Sequence, residues 1–118
     1  MVTVVLAASD NPARVSYRAV HRLLHAGHEV VPVGIRTGEV AGLSIRTDRP
    51  AVANVDTVTL YLGAKNQPGW YNYILGLKPR RIIFNPGAEN PELEALAQAA
   101  GIVTEEACTL VLLSLGQY

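Results

Sequence analysis

Short apolar runs rich in β-branched residues alternate with stretches of helical periodicity along the whole chain, and this alternation is what most constrains the fold. Each apolar run is bounded by turn residues, as is typical of a strand that is buried on both faces. The predicted strands cover residues 2–6, 29–33, 57–62, 81–84 and 102–104. Strands that alternate with helices predict right-handed crossovers and a mostly parallel sheet.

The same changes of period predict four helices. They cover residues 15–26, 67–77, 91–100 and 107–115. Asn90 is a good N-cap for the third helix, and Asn66 is predicted to cap the second. Leu93 and Leu96 lie at helical spacing and are expected to face the core. A further short strand is predicted near Leu43.

Chain length and hydrophobicity indicate one globular domain with a substantial core. The chain has 118 residues, of which 49% are hydrophobic and 17% charged, and this balance excludes disorder. We therefore predict a single three-layer α/β domain spanning residues 1–118, with a mostly parallel five-stranded sheet in the order 2-1-3-4-5. Such a sheet binds ligands where the strand order reverses, here between the loops that start at Ala7 and Gly63.

Charge and cysteine content limit the expected partners and location. Ten basic and ten acidic residues cancel, so we expect neither nucleic acid nor a membrane as a partner. The apolar N-terminal run is too short to span a bilayer and lacks the basic flank of a signal peptide. The single cysteine, Cys108, forms no internal disulfide, and we expect a cytoplasmic protein in which this thiol is buried and structural.

The loop after the first strand is the first candidate binding element. A loop that leads into a helix N-terminus presents free backbone N–H groups and a positive dipole end, which suit a phosphate or diphosphate. Ser9, Asn11 and Ser16 can add side-chain donors, and Arg14 adds a positive charge. The competing interpretation is that these residues only shape the turn and cap the helix. No glycine of a G-x-G-x-x-G fingerprint is present, and Ala7 is expected to keep a negative φ.

The end of the second strand is the second candidate. An NAD-binding domain places an acidic residue there to hold the ribose, whereas this chain continues from Val33 through Gly34 to Arg36 without one. A guanidinium at this place suits a phosphorylated ribose. Both coenzyme A, with its 3′-phosphate, and NADP, with its 2′-phosphate, remain open, as does a solvated Arg36.

The turn after the fourth strand is the third candidate, because it lies beside the predicted reversal of strand order. Asn85, Pro86, Gly87 and Asn90 are its possible ligand neighbours. A purely structural role as turn and helix cap explains the same residues equally well.

No metal site or catalytic residue is predicted. His21 and His25 have a spacing that can chelate zinc, but Arg18 and Arg22 share their helix face and oppose a divalent cation. Ser9 lacks the G-x-S-x-G context of a nucleophile. We therefore expect no catalytic activity from this chain alone.

Five segments in order resemble the small stand-alone CoA-binding domain proteins, relatives of the CoA-binding domain in succinyl-CoA synthetase α subunits. They are Ala8-Ser9-x-Asn11-Pro12-x-Arg14-x-Ser16-Tyr17, residues 27–33, Gly38-Glu39-Val40-x-Gly42, residues 85–90 and residues 106–110. The resemblance covers nearly the whole chain. It implies a Rossmann-like fold, coenzyme A or an acyl-CoA as the ligand, and no established catalytic residue.

The resemblance also implies roles by position. The loop with Ala8, Ser9 and its neighbours would meet the phosphates, and residues 33–36 would border the adenosine ribose. Gly63 and Ala64, with residues 85–87, would line the rest of the groove. Two departures stand out: Ala7 replaces a usual glycine, and Gly34-Ile35 replaces a usual Asn-Pro. Both are expected to alter the contacts to the ligand.

Three functions stay open from the sequence. The first is non-catalytic binding of coenzyme A or an acyl-CoA, which makes a small nucleotide the expected partner. The second is a subunit of an NADP-linked oxidoreductase, which needs a partner chain. The third is an interaction scaffold without a ligand, because the apolar stretch 110–115 is either core or the interface of a homodimer.

Overall fold

The predicted alternation of strands and helices is present in the computed structural model, which describes residues 1–118. The strands are β1 (Val2–Leu6), β2 (Glu29–Val33), β3 (Glu39–Val40), β4 (Leu43–Ser44), β5 (Val55–Leu60), β6 (Arg81–Phe84) and β7 (Val103–Glu106). The helices are α1 (Val15–His25), α2 (Tyr71–Gly76), α3 (Pro91–Ala99) and α4 (Thr109–Ser114). None of them is long and apolar enough to cross a membrane.

The main sheet has five parallel strands in the order β2-β1-β5-β6-β7, which confirms the predicted fold class and strand order. Val4 of β1 lies opposite Val31 on one side and Val58 on the other. The chain moves outward from β1 to β2 and then returns past β1 to β5, so the order reverses between β1 and β5. The short strands β3 and β4 form a separate antiparallel hairpin, of which only the second strand is predicted from the sequence.

Side chains that alternate along the strands fill two cores. On one face, Val4, Leu60 and Phe84 are buried in a cluster that includes Ile74 of α2 and Leu93 of α3. This burial of apolar side chains on both sides of the central strands β1, β5 and β6 is the main stabilising term of the domain.

The opposite face of the sheet is covered by α1 and α4. Val5 packs against Val20 and Leu23 of α1. At the start of α4, the hydroxyls of Thr59 and Thr109 lie 2.7 Å apart and share a buried hydrogen bond. The two helices therefore begin at the same edge of the sheet, above the carboxyl ends of the strands.

The second predicted helix is interrupted, and the prediction that Asn66 caps it is wrong. Two 3₁₀ turns, Ala64–Asn66 and Pro68–Trp70, precede the shorter helix α2. Pro68 has no N–H to donate and Gly69 has low helix propensity, so a regular helix starts only after them. The Asn66 side chain makes no capping bond.

Several predicted boundaries also differ from the structure. The third strand covers residues 55–60 rather than 57–62, and the last strand covers residues 103–106 rather than 102–104. The last strand continues through Glu105 and Glu106 because their backbones pair with Ile83 and Phe84. Leu96 is 42% exposed on α3 and does not face the core. Helix α4 is also shorter than predicted at both ends.

Replacing Asp56 with Asn tests the electrostatic contact that joins β5 to β6. The Arg80 guanidinium donates to the Asp56 carboxylate at 2.8 Å and lowers the pKa of that carboxyl. A folded-state pKa below the unfolded value of about 3.9 means that the stabilisation is present above that pH and is lost as pH falls through the folded-state pKa. Because Arg80 is largely exposed and the charges are screened by solvent, we expect Asp56→Asn to cost about 0.5–1 kcal/mol at neutral pH.

Urea unfolding of the wild type and the variant at neutral pH and at an acid pH below the folded-state pKa of Asp56 measures this difference, since the carboxyl group is then protonated in both the folded and the unfolded state. The difference should disappear in acid. An equal loss at both pH values would show that the ion pair contributes nothing.

Candidate functional site

A cleft of about 900 Å³ opens where the strand order reverses, at the carboxyl ends of β1 and β5. This volume is within the range of small-molecule and cofactor sites. Nine of the residues predicted to bind a ligand line it: Ala8, Ser9, Asn11, Arg14, Ser16, Arg36, Gly63, Asn85 and Pro86. The three loops predicted as separate candidates therefore meet in one place.

The loop between β1 and α1 is held by its own polar groups. The Asn11 N–H donates to the Ser9 hydroxyl oxygen at 3.0 Å, and the Ala13 N–H donates to the Asn11 side-chain oxygen at 3.0 Å. Both side chains thus shape the turn, as the competing interpretation predicts. Because they act there as acceptors, the Ser9 hydroxyl proton and the Asn11 amide protons remain free to donate. The turn-shaping role is compatible with a binding role.

The N-terminus of α1 has no side-chain acceptor. Arg14 is at the N-cap position and makes no capping bond, and no acidic residue lies in the first turn. Helix α3 differs, because the Asn90 side-chain oxygen accepts from the N–H groups of Glu92 at 3.1 Å and Leu93 at 3.3 Å. The first residue of α1, Val15, lines the cleft. The positive end of the α1 dipole therefore opens into the cleft without a protein carboxylate or amide oxygen to satisfy it.

Ala7 begins the same loop with a φ of +71°, so the predicted negative φ is wrong. This left-handed conformation costs a residue with a Cβ about 1–2 kcal/mol relative to the right-handed one. Hydrogen bonds on both sides hold the chain in place: the Ala8 N–H donates to the Val33 carbonyl, and the Tyr61 N–H donates to the Leu6 carbonyl. The position therefore uses the conformation that glycine favours, although the residue is alanine.

Gly34 allows the end of β2 to pack directly against this loop. A Cβ at position 34 would lie 2.8 Å from the Ala8 carbonyl oxygen and 3.0 Å from Cγ2 of Ile45. Val33, the preceding residue, is completely buried in the core. Val33 and Gly34 therefore pack beneath the wall of the cleft, and neither of them lines it.

The charged side chains of the cleft leave it with an excess positive charge. Arg14 and Arg36 line the cleft, are exposed and form no ion pair, whereas Asp10 is its one acidic residue. Arg46 and Arg80, in contrast, form ion pairs outside the cleft. The cleft thus combines two unpaired guanidinium groups with an unsatisfied helix N-terminus, an arrangement that attracts an anion.

Asn85 holds the third loop against the base of the cleft. Its side-chain amide donates to the Thr59 hydroxyl at 2.7 Å and to the Leu60 carbonyl at 3.0 Å, and its oxygen accepts from the Thr109 N–H at 2.8 Å. Both N–H groups and the oxygen of this buried side chain are hydrogen-bonded within the protein. Asn85 therefore positions the cleft wall, and Pro86 beside it is exposed at the surface.

Six residues predicted as ligand neighbours do not line the cleft: Tyr17, Val33, Gly34, Ala64, Gly87 and Asn90. Tyr17 is half-buried against the core cluster beneath α1, and its ring contacts that of His21. Gly87 has a φ of +94°, and its N–H donates to the Glu89 carboxylate. Asn90 is buried and caps α3. A role of these six in binding stays a prediction from the resemblance.

Sequence reasoning missed Tyr61 and Cys108 as cleft residues. The Tyr61 hydroxyl is buried without a hydrogen-bond partner, and burial raises the pKa of this phenol to about 12. The predicted third strand included Tyr61, whereas the strand ends at Leu60 and the next side chain reaches the cleft. Cys108 is half-buried at the cleft wall, so the expectation of a buried structural thiol is wrong.

The open parallel sheet, the reversal of strand order and the cleft above it define a single-domain Rossmann-like α/β protein. A family model described as the CoA binding domain matches residues 2–114. The chain belongs to the CoA binding domain family. Among curated proteins, none matches this chain.

Solved structures show the same fold. An uncharacterized protein has 50% sequence identity and a TM-score of 0.97, with 99% of this chain and 97% of that chain covered. A conserved hypothetical protein from Pyrococcus furiosus has 26% identity and a TM-score of 0.74, with 87% and 90% covered. The cell-free protein ID.343 from Thermus thermophilus has 21% identity and a TM-score of 0.85, with 99% and 90% covered, and supports the fold alone.

Proposed function

We propose that this protein binds coenzyme A or an acyl-CoA in the cleft and carries no catalytic machinery of its own. One observation carries the proposal: in a chain of the CoA binding domain family, the N-terminus of α1 opens into the cleft without any side-chain acceptor. An anionic ligand satisfies these N–H groups and interacts favourably with the helix dipole.

The diphosphate of the ligand is assigned to the loop that leads into α1. The backbone N–H groups of Val15 and Ser16 would donate to it, together with the free side-chain donors of Ser9 and Asn11. Arg14 would add a charge-assisted contact at the cleft rim. The loop is held by its own hydrogen bonds before any ligand arrives, so little ordering cost remains to be met on binding.

The phosphorylated ribose is assigned to the end of β2. No acidic residue occupies positions 33–37, and Arg36 lies exposed at the cleft without an ion pair. A guanidinium in this place favours a ligand with a phosphate on its ribose over one with two free hydroxyls. The exposed side chain of Ile35 lies beside it and offers an apolar surface to a base.

The pantetheine arm is assigned to the remaining wall, which includes Gly63, Pro86 and Tyr61. The Tyr61 ring lines this wall, whereas its hydroxyl is buried beside the hydroxyls of Thr59 and Thr109, so the ligand would contact the ring rather than the hydroxyl. With a pKa of about 12, this phenol stays protonated at neutral pH and is not a general base. The cleft therefore supports binding rather than proton transfer. We also assign the protein to the cytoplasm, where coenzyme A is available to it.

Calorimetric titration with coenzyme A, NADP and NAD tests the proposal. We expect coenzyme A to bind and NAD to bind at least about tenfold more weakly, a difference of about 1.4 kcal/mol. Binding of NADP without binding of coenzyme A would overturn the proposal in favour of an oxidoreductase subunit. No binding of any of the three would favour the interaction scaffold.

Replacing Arg36 with Gln should remove the preference for a phosphorylated ribose. We expect the wild type to bind coenzyme A about tenfold more tightly than dephospho-coenzyme A, because an exposed charge-assisted pair with a phosphate contributes about 1–2 kcal/mol. In Arg36→Gln the two affinities should be equal within about twofold. Arg46→Gln is the matched control, because Arg46 is exposed but paired with Asp48 outside the cleft. A preference that persists in Arg36→Gln would place the ribose phosphate elsewhere.

A further inference from the structure

Helix α4 buries little of its own surface. It has six residues, and a helix of this length is marginal unless tertiary contacts hold it. Thr109 is its one buried residue, Leu113 packs half-buried against the core beneath α1, and Val111 is 52% exposed. The stretch 110–115 is therefore part core and part surface, and a homodimer through its exposed part stays a prediction from the sequence. The position of α4 depends on what holds its two ends.

The first end of α4 forms part of the cleft. The Thr109 N–H donates to the Asn85 side-chain oxygen at 2.8 Å, and the hydroxyls of Thr109 and Thr59 share a hydrogen bond at 2.7 Å. Cys108, directly before the helix, lines the cleft wall. A displacement of α4 therefore moves a wall of the cleft.

The other end of α4 is held by Tyr118, at the end of the sheet opposite the cleft. A Schellman turn follows the helix: Gly116 has a φ of +68°, and the Gln117 N–H donates to the Leu112 carbonyl at 2.8 Å. After this turn, the hydroxyl of Tyr118 shares a hydrogen bond with that of Thr3, a fully buried residue near the start of β1. One side chain thus ties the segment after α4 to the amino ends of the strands.

The Tyr118 ring also lies over a buried cation. Cζ of Arg81, the first residue of β6, is 4.7 Å from the ring centroid, and the His28 ring packs edge-on at a centroid distance of 4.9 Å. The Arg81 side chain is 5% exposed, and its Nη2 is buried without a hydrogen-bond acceptor. The ring face stabilises this guanidinium, whereas water would satisfy Nη2 if the ring left. Release of Tyr118 therefore costs less than its buried area alone implies, so an open state is accessible.

We propose that residues 115–118 form a latch that positions the α4 wall of the cleft from the opposite end of the sheet, with Tyr118 as the positioning residue. With Tyr118 docked, α4 is held at both ends, and Cys108 and Thr109 stay in place. With Tyr118 released, α4 is held at one end only, and the wall loses its fixed geometry. Docking of Tyr118 and binding of coenzyme A then favour each other. The effect on binding rests on the proposed function, whereas the effect on α4 does not.

Replacing Tyr118 with Ala tests the latch without any ligand. Hydrogen exchange of the amides of residues 112–115 should become at least about tenfold faster relative to those of β1, because α4 opens more often. Alkylation of Cys108, the one thiol of the chain, by iodoacetamide should become at least about fivefold faster, because the cleft wall opens to solvent.

Tyr73→Ala is the matched control. Tyr73 is a half-buried tyrosine of α2, across the sheet from α4; its hydroxyl donates to the Pro50 carbonyl at 2.7 Å, and its ring packs edge-on against Trp70. This substitution should change the exchange ratio and the alkylation rate by less than about twofold. Thermal unfolding identifies a variant that fails to fold. Tyr118→Leu, which keeps an apolar side chain but loses the hydroxyl and the ring face, then replaces Tyr118→Ala.

Calorimetry with coenzyme A tests the coupling of the latch to the cleft. We expect Tyr118→Ala to bind about fivefold more weakly than the wild type, and Tyr73→Ala to stay within about twofold of it. In the wild type, saturating coenzyme A should slow the exchange of residues 112–115 by about the same fivefold factor, because such coupling is reciprocal.

Each outcome decides one part of the proposal. Unchanged exchange and alkylation in Tyr118→Ala would overturn the latch. Faster rates with an unchanged affinity would overturn its coupling to the site. A wild type that binds no coenzyme A would overturn the proposed function, while the two rates would still support or overturn the latch.

Discussion

Replacing Val15 with Glu should abolish binding of coenzyme A while leaving the fold intact or slightly more stable. Val15 is the first residue of α1 and lines the cleft. A carboxylate there accepts from the free N–H groups of the first turn and stabilises the helix by about 0.3–1 kcal/mol. The same carboxylate occupies the place of the diphosphate and repels it. Since like charges brought together cost several kcal/mol, we expect an affinity loss of at least about 100-fold.

Val15→Gln separates charge from shape in this experiment. Glutamine has nearly the same size as glutamate but no charge, so its affinity should remain within about threefold of the wild type. Calorimetry measures affinity, and urea unfolding measures stability. An affinity that survives Val15→Glu, or an equal loss in both variants, would contradict the assignment of the diphosphate to the α1 N-terminus.

Replacing Gln67 with Met should cost about 2–4 kcal/mol of folding stability, because it leaves buried polar groups without partners. Gln67 is fully buried, and its amide donates to the carbonyls of Leu62 and Ala88 at 2.8 Å each. Its oxygen accepts from the Asn90 side chain at 2.8 Å. One side chain thus joins the loop after β5 to the loop after β6, the two loops that form the far wall of the cleft.

Gln98→Met is the matched control for Gln67→Met. Gln98 is exposed, and its single hydrogen bond to Thr104 is accessible to water, so the substitution should change the unfolding free energy by less than about 0.5 kcal/mol. Chemical unfolding of both variants measures the difference. A Gln67→Met protein as stable as the control would show that the two loops are held by packing rather than by this amide.

The strand order could be predicted from sequence because it depends on periodicity and connection length, which are local. The run from Val2 to Leu6 is apolar except for the β-branched Thr3, as suits a central strand, and Gly27 ends α1 with a φ of +89° as expected of a helix stop. The predicted ends of strands were wrong where tertiary contacts determine them. The last strand passes through Glu105 because pairing with β6 outweighs the low β-propensity of glutamate.

The three loops of the site were predictable because the carboxyl ends of parallel strands meet at one edge of a sheet. The direction of individual side chains could not be predicted from the sequence. Tyr61 reaches the cleft because β5 ends at Leu60, two residues before the predicted end, and Asn90 is turned away from the cleft by its bonds to Gln67 and Tyr71. The positive φ of Ala7 is not marked by alanine itself, and the signal that could have indicated it is the glycine usual at this position in the family that the chain resembles.

The most direct measurement of where the ligand sits is a proton–nitrogen correlation spectrum of the labelled protein, recorded during a titration with coenzyme A. We expect the largest amide shifts at the non-proline residues of 9–16 and at Arg36, with none comparable at α3. Saturable shifts confined to residues outside the cleft, with the amides that open α1 unmoved, would contradict it.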